Sequence, residues 1–158
     1  MSLPRWIAST LEAEHVPYRV RHHRPCFTAQ EVAAAEHVSG HRLAKVVAVK
    51  ADDEMVFVVL PASQQLDLRA VSKTMHSGQC RLATEQEMAE RFPDCEVGAL
   101  PPLPHWDGIT LLADKRLAEA DGPIVFQAGT HEDAIELSPA DWQRIAHPRF
   151  GRFAATMN

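Results

Sequence analysis

Hydrophobic and polar positions along this chain follow the periods of short helices and short strands. Apolar residues recur at helical spacing in "PRWIASTLEAEH" (residues 4–15) and "LDLRAVSKTM" (residues 66–75), which predicts a helix in each stretch. Apolar and β-branched runs predict strands in "PYRVRH", "VVAVKA", "EMVFVVLPA", "GITLLAD", "GPIVFQAG" and "DAIELS". The turn "ADDE" (residues 51–54) follows the second of these runs and predicts a β-hairpin with the third.

Three Ser/Thr-x-x-acid boxes predict the starts of further helices. They are "TAQE" (residues 28–31), "TEQE" (residues 84–87) and "SPAD" (residues 138–141), and in each the hydroxyl can accept from an otherwise unpaired backbone amide. Pro139 falls at the first helical position, where its missing N–H does no harm. Because helices and strands are interspersed without a regular βαβ rhythm, the predicted class is α+β. We expect one domain over residues 1–158, with a mixed or antiparallel sheet and helices packed on it.

Length and net charge limit the possible classes of protein only in part. The 158 residues suit a single domain with a sizeable core. A net charge of −5 argues against a protein that coats nucleic acid by charge alone. Two stretches are nevertheless basic, "RVRHHR" (residues 19–24) and "HPRFGR" (residues 147–152). Both interpretations, a solvated surface and a contact for a few phosphates, remain open.

Cysteine usage and hydropathy predict a cytoplasmic protein. The cysteines Cys26, Cys80 and Cys95 are odd in number and form no CxxC pair, so the sequence predicts neither a disulfide framework nor a thiolate zinc site. No apolar run approaches the roughly 20 residues that cross a bilayer. We therefore predict a protein that is neither exported nor membrane-spanning.

The common catalytic signatures are absent from the sequence. It has no GxSxG, P-loop, HExxH or GxGxxG motif, which removes the usual hydrolase, nucleotide, zinc-protease and dinucleotide interpretations. His37 and His41 are spaced like zinc ligands, but Gly40 interrupts the helix that would carry them. Cys95 lies near a glycine loop without a histidine placed beside it, and free cysteines are usually small buried residues. We predict no metal and no cofactor.

Three features of the sequence are candidates for a catalytic or binding role. Lys45 stands at the start of the strand "VVAVKA", and a lysine is costly to bury unless its charge is needed; a side chain that extends to solvent is the alternative. In "EVGALPP", Gly98 opens a loop whose amides could face a carbonyl oxygen, although such a loop can also be a simple turn. The strand "IVFQ" runs into Gly129, Thr130 and His131, and a loop histidine is either a catalyst or a surface residue.

Taken in order, several stretches resemble the YbaK/ProX family of aminoacyl-tRNA deacylases, relatives of the editing domain of bacterial prolyl-tRNA synthetases. They are "TAQEVAAAEHVSGHRLAKVVAVK", "FVVLPASQQLDL", "RLATEQEMAERFPDCEVGALPP", "LLADKRL" and "FQAGTHEDAIELSPADW", and they span about residues 25–145. The ordered set is much more specific than any single stretch. The resemblance implies the fold of the family's editing domains, a barrel-like sheet surrounded by helices.

The resemblance also assigns residues. It places the family's activity-linked lysine at Lys45, its GxxxP loop at residues 98–102 and the histidine of several prolyl-editing members at His131. Relatives carry asparagine or threonine directly after the lysine, whereas this chain has Val46, so neither subfamily's substrate transfers. Asp114 matches an acidic position of the family, and we interpret it as a turn or capping residue.

The implied reaction is hydrolysis, in trans, of the ester that joins a wrong amino acid to the terminal adenosine of a tRNA. Small amino acids such as Ala, Ser, Cys or Thr are the expected acyl groups, and tRNA(Pro) is the preferred carrier. The Lys45 ammonium would hold the substrate, and amides at Gly98 and Ala99 would stabilise the oxyanion while water attacks, assisted by the ribose hydroxyl. The catalytic candidates are Lys45, Gly98 and His131; the substrate-binding candidates are Phe27, Val46, Ala99, Leu100, Pro102, Gly129 and Thr130.

Two other classes remain open at this point. One is a small-molecule or nucleotide-binding module that keeps the pocket without hydrolysis. The other is an interaction protein that docks on a synthetase and supplies no chemistry. The expected partners are the aminoacylated end of a tRNA and, as a further candidate, an aminoacyl-tRNA synthetase; the sequence does not indicate the oligomeric state.

Overall fold

The structure, a computed structural model, describes residues 3–23 and 42–155. Its strands within these ranges are β1 (Arg19–His22), β2 (Leu43–Ala51), β3 (Glu54–Pro61), β4 (Cys80–Leu82), β5 (Thr110–Asp114), β6 (Ile124–Gln127), β7 (Asp133–Leu137) and β8 (Arg149–Gly151). The helices are α1 (Arg5–Ala13), α2 (Leu68–Met75), α3 (Glu85–Arg91) and α4 (Pro139–Ala146), with a short 3-10 turn at Lys115–Leu117. None of these helices is long and apolar enough to cross a membrane.

The strands form one mixed sheet, which confirms the predicted fold class. Its order is β1-β7-β6-β2-β3-β5-β8, and β4 pairs with β2 beside that path. The pairs β1–β7, β6–β7, β2–β3 and β2–β4 are antiparallel, whereas β2–β6, β3–β5 and β5–β8 are parallel. The predicted hairpin is the β2–β3 pair.

Strand β2 divides one of its edges between two partners. Strand β3 pairs with β2 from Ala44 to Ala51 along one edge. On the other edge, Leu43 and Ala44 pair with β6, and Val49–Ala51 pair with β4. Strands β6 and β4 therefore separate beside the intervening residues, of which Lys45 is the first. This fork in the sheet positions the candidate site.

Both faces of the sheet are covered, which explains why its strands are almost continuously apolar. Along β3, Met55, Phe57 and Val59 belong to one core cluster, and Val56, Val58 and Leu60 belong to another. The first core cluster also holds side chains of α1 and α4, including Ile7, Leu11 and Trp142. The second core cluster is smaller and packs α2 on the sheet through Val71.

The predicted helix starts that lie in the described residues are confirmed. Thr84 accepts from the Glu87 amide and the Glu87 carboxylate accepts from the Thr84 amide, so α3 begins with a complete capping box. Ser138 accepts from the Asp141 amide at the start of α4, with Pro139 in the first turn. The box at residues 28–31 lies outside the described residues.

Strands β4 and β8 were not predicted from the sequence. Each has three residues, and their side chains are mostly exposed. Such short segments carry no measurable hydrophobic period of their own; pairing with β2 and with β5 makes them strands.

Candidate functional site

The loop that carries Gly98 lies against the connection between β6 and β7. The Gly129 amide donates to the Ala99 carbonyl at 2.8 Å, and the Glu96 amide donates to the Gly129 carbonyl at 2.7 Å. A Cβ atom built on Gly98 would lie 3.5 Å from Cε1 of His131. The fold thus joins two predicted site segments that are about 30 residues apart in the chain. We call residues 96–99 and 129–131 the two-loop site.

Both glycines of the two-loop site have backbone conformations that favour glycine. Gly98 has a φ of +88° and Gly129 a φ of +89°. At Gly129 a Cβ would also lie 2.7 Å from Cδ of Pro4, so the residue preceding α1 packs directly on this loop. The start of α1 therefore holds the second loop in place.

His131 is buried and bound to the first loop. Its Nε2 lies 2.9 Å from the Val97 carbonyl oxygen, and its side chain is only 10% exposed. Because a carbonyl oxygen only accepts, Nε2 must carry a proton and donate it. Nε2 therefore cannot act as a general base in this arrangement. A carboxylate oxygen of Glu96 lies 3.8 Å from Nε2.

The two predicted oxyanion donors differ in their availability. The Ala99 amide donates to the Glu96 carbonyl at 3.0 Å, so it is already paired within the loop. Its side chain is buried as well. Gly98 is exposed, and no acceptor within residues 3–23 and 42–155 takes its amide. The Gly98 amide is therefore a donor that this loop can offer to a ligand.

Three further predicted substrate-binding residues have structural roles instead. The Thr130 hydroxyl donates to Asp133 at 2.5 Å and accepts from the Glu132 amide, and Thr130 is fully buried. The Pro102 carbonyl accepts from the indole of Trp142 at 2.9 Å. Leu100 is 6% exposed and belongs to the first core cluster. These side chains and carbonyls stabilise the loops, and direct contact of these residues with the substrate stays a prediction.

Lys45 lies half-buried on β2, in register with Leu60 of β3. Burial lowers the pKa of Lys45 below its ordinary value, because it penalises the charged form. Within the described residues, its Nζ makes one long hydrogen bond, 3.5 Å, to the Ala62 carbonyl. No carboxylate in the same ranges pairs with it. The ammonium is thus partly desolvated and available to bind an anion.

Lys45 and the two-loop site lie at the same fork of the sheet. Strands β2 and β6 pair in parallel only at Leu43–Ala44 and Val125–Phe126. Beyond that pairing β2 continues into Lys45, and β6 continues through Gln127 towards Gly129. Nevertheless, no hydrogen bond in the described part of the chain joins Lys45 to Gly98 or His131. The structure places these groups near one fork without direct contact.

Other predicted positions are either packed in the fold or lie outside the described residues. Val46 is half-buried and packs against the first core cluster, on the face opposite to Lys45. Phe27, and the spaced pair His37 and His41, lie outside the described residues. Within the two described ranges, no group of three or more His, Cys, Asp or Glu side chains is placed to hold a metal ion.

Cys95 and Asp114 have the structural roles that the sequence predicted. Burial, with a contribution from Asp94, raises the pKa of the Cys95 thiol to about 12, so it stays protonated and is no nucleophile at neutral pH. Asp114 accepts from the Phe153 and Ala154 amides at 3.0 and 2.9 Å. It also caps the 3-10 turn by accepting from the Arg116 amide at 3.0 Å.

The basic stretch at residues 19–24 is partly occupied by internal ion pairs. Arg21 lies 2.5 Å from Glu136, and His22 pairs with Asp133. Arg19 is exposed, and Arg24 lies outside the described residues. Much of this charge therefore fastens β1 to β7, and the stretch is a weaker candidate for phosphate contacts than its composition indicated.

Two residues of the site were missed by the sequence analysis. Glu96 joins both loops through its backbone, and Pro4 packs on Gly129. Glu96 could have been noticed as an acidic side chain two residues before a glycine loop. Pro4 carries no such signal, because its partner is 125 positions away in the chain.

Comparison with known proteins identifies the family. The model of the aminoacyl-tRNA editing domain matches residues 23–145. The chain belongs to the aminoacyl-tRNA editing domain family. The multifunctional Ser/Thr-tRNA deacylase ProXp-y of Escherichia coli K12 is 30% identical over 155 residues, which cover 95% of this chain and 92% of that protein. The proline–tRNA ligase of Streptococcus gordonii is 28% identical over 113 residues, 72% of this editing domain but only 18% of the ligase.

Solved structures support the fold of this editing domain. The protein APE2540 superposes with a TM-score of 0.86 at 21% identity, covering 94% of this chain and 99% of that one. A candidate trans-editing enzyme for prolyl-tRNA synthetase superposes with a TM-score of 0.83 at 18% identity, covering 96% of each chain. The predicted family, fold class and reaction class, hydrolysis of the aminoacyl-tRNA ester bond, are confirmed.

Proposed function

We propose that this editing domain hydrolyses seryl and threonyl esters of mischarged tRNA in trans. The observation that carries the proposal is the similarity to the Ser/Thr-tRNA deacylase of Escherichia coli, which covers 95% of this chain and 92% of that protein. The match to the proline–tRNA ligase covers less of the chain, 72%. We retain tRNA(Pro) as the expected carrier, and alanyl and cysteinyl esters are alternative outcomes of the test below.

In this proposal the Gly98 amide donates to the oxyanion. Water attacks the ester carbonyl carbon, and the carbonyl oxygen gains negative charge beside the exposed amide of Gly98. The bond between the carbonyl carbon and the ribose oxygen then breaks. The amino acid leaves as a carboxylic acid, and a proton from the attacking water restores the ribose hydroxyl. No covalent enzyme intermediate forms, consistent with the inert thiol of Cys95.

His131 acts as a positioning residue in the same scheme. Its Nε2 holds the Val97 carbonyl at 2.9 Å, and its ring lies 3.5 Å from the Cβ position of Gly98. The ring therefore fixes the peptide that precedes Gly98, and the amide of Gly98 belongs to that peptide. This replaces the catalytic role that the sequence analysis gave to His131.

Lys45 binds the anionic end of the substrate. Its ammonium is half-buried and has no carboxylate partner in the described residues. Ionic interactions strengthen where water is partly excluded, so a substrate phosphate would bind this ammonium more tightly than it binds an exposed lysine. An anion at this position would also offset the desolvation that lowers the pKa of Lys45.

The same site can accept both serine and threonine. A hydrophobic wall discriminates one methylene by only about 1–3 kcal/mol, whereas the size of a closed pocket excludes larger side chains more firmly. We assign one wall of that pocket to Val46, which is half-buried and packs, on the face of β2 opposite to Lys45, against the core cluster that includes Leu100 of the first loop. Phe27 remains a predicted pocket residue.

A panel of tRNAs charged with Ser, Thr, Ala or Cys tests the proposal. We expect the wild-type protein to hydrolyse the seryl and threonyl esters fastest, and Lys45→Ala to reduce these rates by orders of magnitude. Lys50→Ala is the matched control, because Lys50 lies on the same strand and its Nζ binds the Asp53 carbonyl at the hairpin. The proposal fails if alanyl or cysteinyl ester is the preferred substrate, or if the control loses as much activity as Lys45→Ala.

A further inference from the structure

A cavity of about 540 Å³ lies beside the carboxyl end of β5. Its lining includes Asp114 and the 3-10 turn that follows, Asp67 at the start of α2, and Arg152 in the segment after β8. The cavity is separate from the two-loop site, whose residues do not line it.

Two of the three carboxylates that line this cavity accept hydrogen bonds from backbone amides. Asp114 accepts from three backbone amides, at 3.0, 2.9 and 3.0 Å. Asp67 accepts from the Arg69 and Ala70 amides and caps α2. Glu119 is the remaining carboxylate of the lining, and no described residue pairs with it.

Three cationic side chains also line the cavity, those of Lys115, Arg116 and Arg152. Within residues 3–23 and 42–155, none of the three side chains forms an ion pair or a hydrogen bond. The carboxylates of Asp67 and Asp114 keep their charge but are turned to backbone amides, whereas the three cationic side chains have no such partner and are available to bind an anion. Arginine guanidinium groups bind phosphate oxygens in a bidentate manner.

The cavity also lies on the same face of the sheet as Lys45. Lys45 is in register with Leu60, and the parallel β3–β5 pairing reaches Val59 and Ala113, so Asp114 follows in the same row as Leu60. Side chains in one row point to one face. Two strand spacings separate Lys45 from Asp114, about 10 Å, which is the rise of roughly three stacked nucleotides.

We propose that this cavity binds backbone phosphates of the tRNA acceptor strand while Lys45 holds its aminoacylated end. The inference rests on the proposed function, because it assigns a second contact to the same substrate. One RNA strand running along this face would meet Lys115, Arg116 and Arg152 after leaving the fork of the sheet. These contacts would add to any that the exposed Arg19 supplies.

Binding of deacylated tRNA tests this inference independently of hydrolysis. The variant Lys115→Ala/Arg116→Ala/Arg152→Ala should bind tRNA about tenfold more weakly or worse at physiological salt. The slope of log Kd against log salt should fall by about 0.7–0.9 for each phosphate that the variant no longer binds. The control is Lys73→Ala, which removes an exposed charge near the other end of α2, about 9 Å along the helix axis from Asp67. An unchanged salt slope, or an equal change in the control, overturns the proposal.

Kinetics on two substrates separate this inference from the proposed function. The triple variant should lose at least about tenfold in kcat/KM on seryl-tRNA and keep its rate on seryl-adenosine, which has the ester but no phosphate. Equal loss on both substrates, or a lower melting temperature that explains the loss, contradicts a phosphate site. If the wild-type protein hydrolyses neither ester, the proposed function fails, and the binding measurement still tests the cavity.

A small anion is the alternative ligand. Inorganic phosphate, titrated calorimetrically into wild-type protein and into the triple variant, distinguishes it. Binding of phosphate to the wild-type protein only, with tRNA affinity unchanged in the triple variant, would show a small-anion site and overturn the RNA assignment. Single charge reversal in Arg152→Glu should weaken tRNA binding even if the triple variant fails to fold, because Arg152 is exposed.

Discussion

Replacing Gly98 by alanine tests whether the amide of this residue serves the reaction. Gly98 is exposed and has a φ of +88°. A Cβ here would lie 3.5 Å from the His131 ring, which is ordinary van der Waals contact. The methyl group therefore fits, and the cost is backbone strain of about 1–3 kcal/mol. For a domain of this size each kcal/mol lowers Tm by about 2–4 °C, so we expect a loss of roughly 2–12 °C.

Gly98→Ala should lower kcat by much more than the loss of stability from backbone strain explains. Alanine disfavours positive φ, so relief of the strain rotates the amide away from the oxyanion position. Loss of one such donor typically lowers kcat by about 10²–10³. KM should change little, because the donor acts on charge that develops in the transition state.

Gly108→Ala is the matched control. Gly108 is also exposed, has a φ of +75°, and its Cβ position lies 3.5 Å from a side chain, that of Arg91. We expect a similar loss in Tm with an unchanged rate. The assay is single-turnover hydrolysis of seryl-tRNA, with melting followed by circular dichroism. The reasoning is refuted if Gly98→Ala keeps its rate within about threefold of wild type, or if both variants lose activity equally.

Three further changes probe the remaining residues. Because burial lowers the pKa of Lys45, the ammonium loses its proton below the ordinary lysine range, and kcat/KM corrected for spontaneous hydrolysis should fall as pH rises through that value. Lys45→Arg should move the fall to higher pH, and a flat pH profile would contradict the role of the ammonium. Because the Cys95 thiol stays protonated, Cys95→Ala should keep full activity, and thiol alkylation at pH 8 should not inhibit the folded wild-type protein. Loss of activity in Cys95→Ala would indicate that this thiol takes part in the reaction. Asp114→Ala should lower the free energy of unfolding by at least about 2 kcal/mol in urea titrations, since three backbone amides lose their acceptor. A loss below about 0.5 kcal/mol would show that water replaces the carboxylate as the acceptor.

Local patterns were sufficient to predict most of the secondary structure within the described residues. The strand runs of β2, β3 and β5 are apolar and β-branched, and the boxes at Thr84 and Ser138 identify two helix starts. In each case the signal lies within a few neighbouring residues. The N-cap of α2 at Asp67 was not recognised, although its carboxylate accepts from two amides, because a lone aspartate occurs equally well in turns.

The candidate site was only partly predictable. The ordered motifs were sufficient to select Lys45, Gly98 and His131, and the structure places Gly98 beside His131. The orientation of their polar groups was not predictable. The Ala99 amide and the Thr130 hydroxyl are both used inside the fold, and that depends on partners brought near by the loops rather than on residue type.

By itself, the sequence determined the alternation of strands and helices, the family, and the presence of one costly lysine at the start of a strand, because each of these is written in adjacent residues or in ordered motifs. Only the tertiary structure decided which amide remains available, that the Nε2 of His131 donates rather than accepts, and that three cations meet in one cavity on the face of Lys45. Those facts depend on contacts between residues far apart in the chain. Such contacts follow from how the whole sheet packs and not from any local preference.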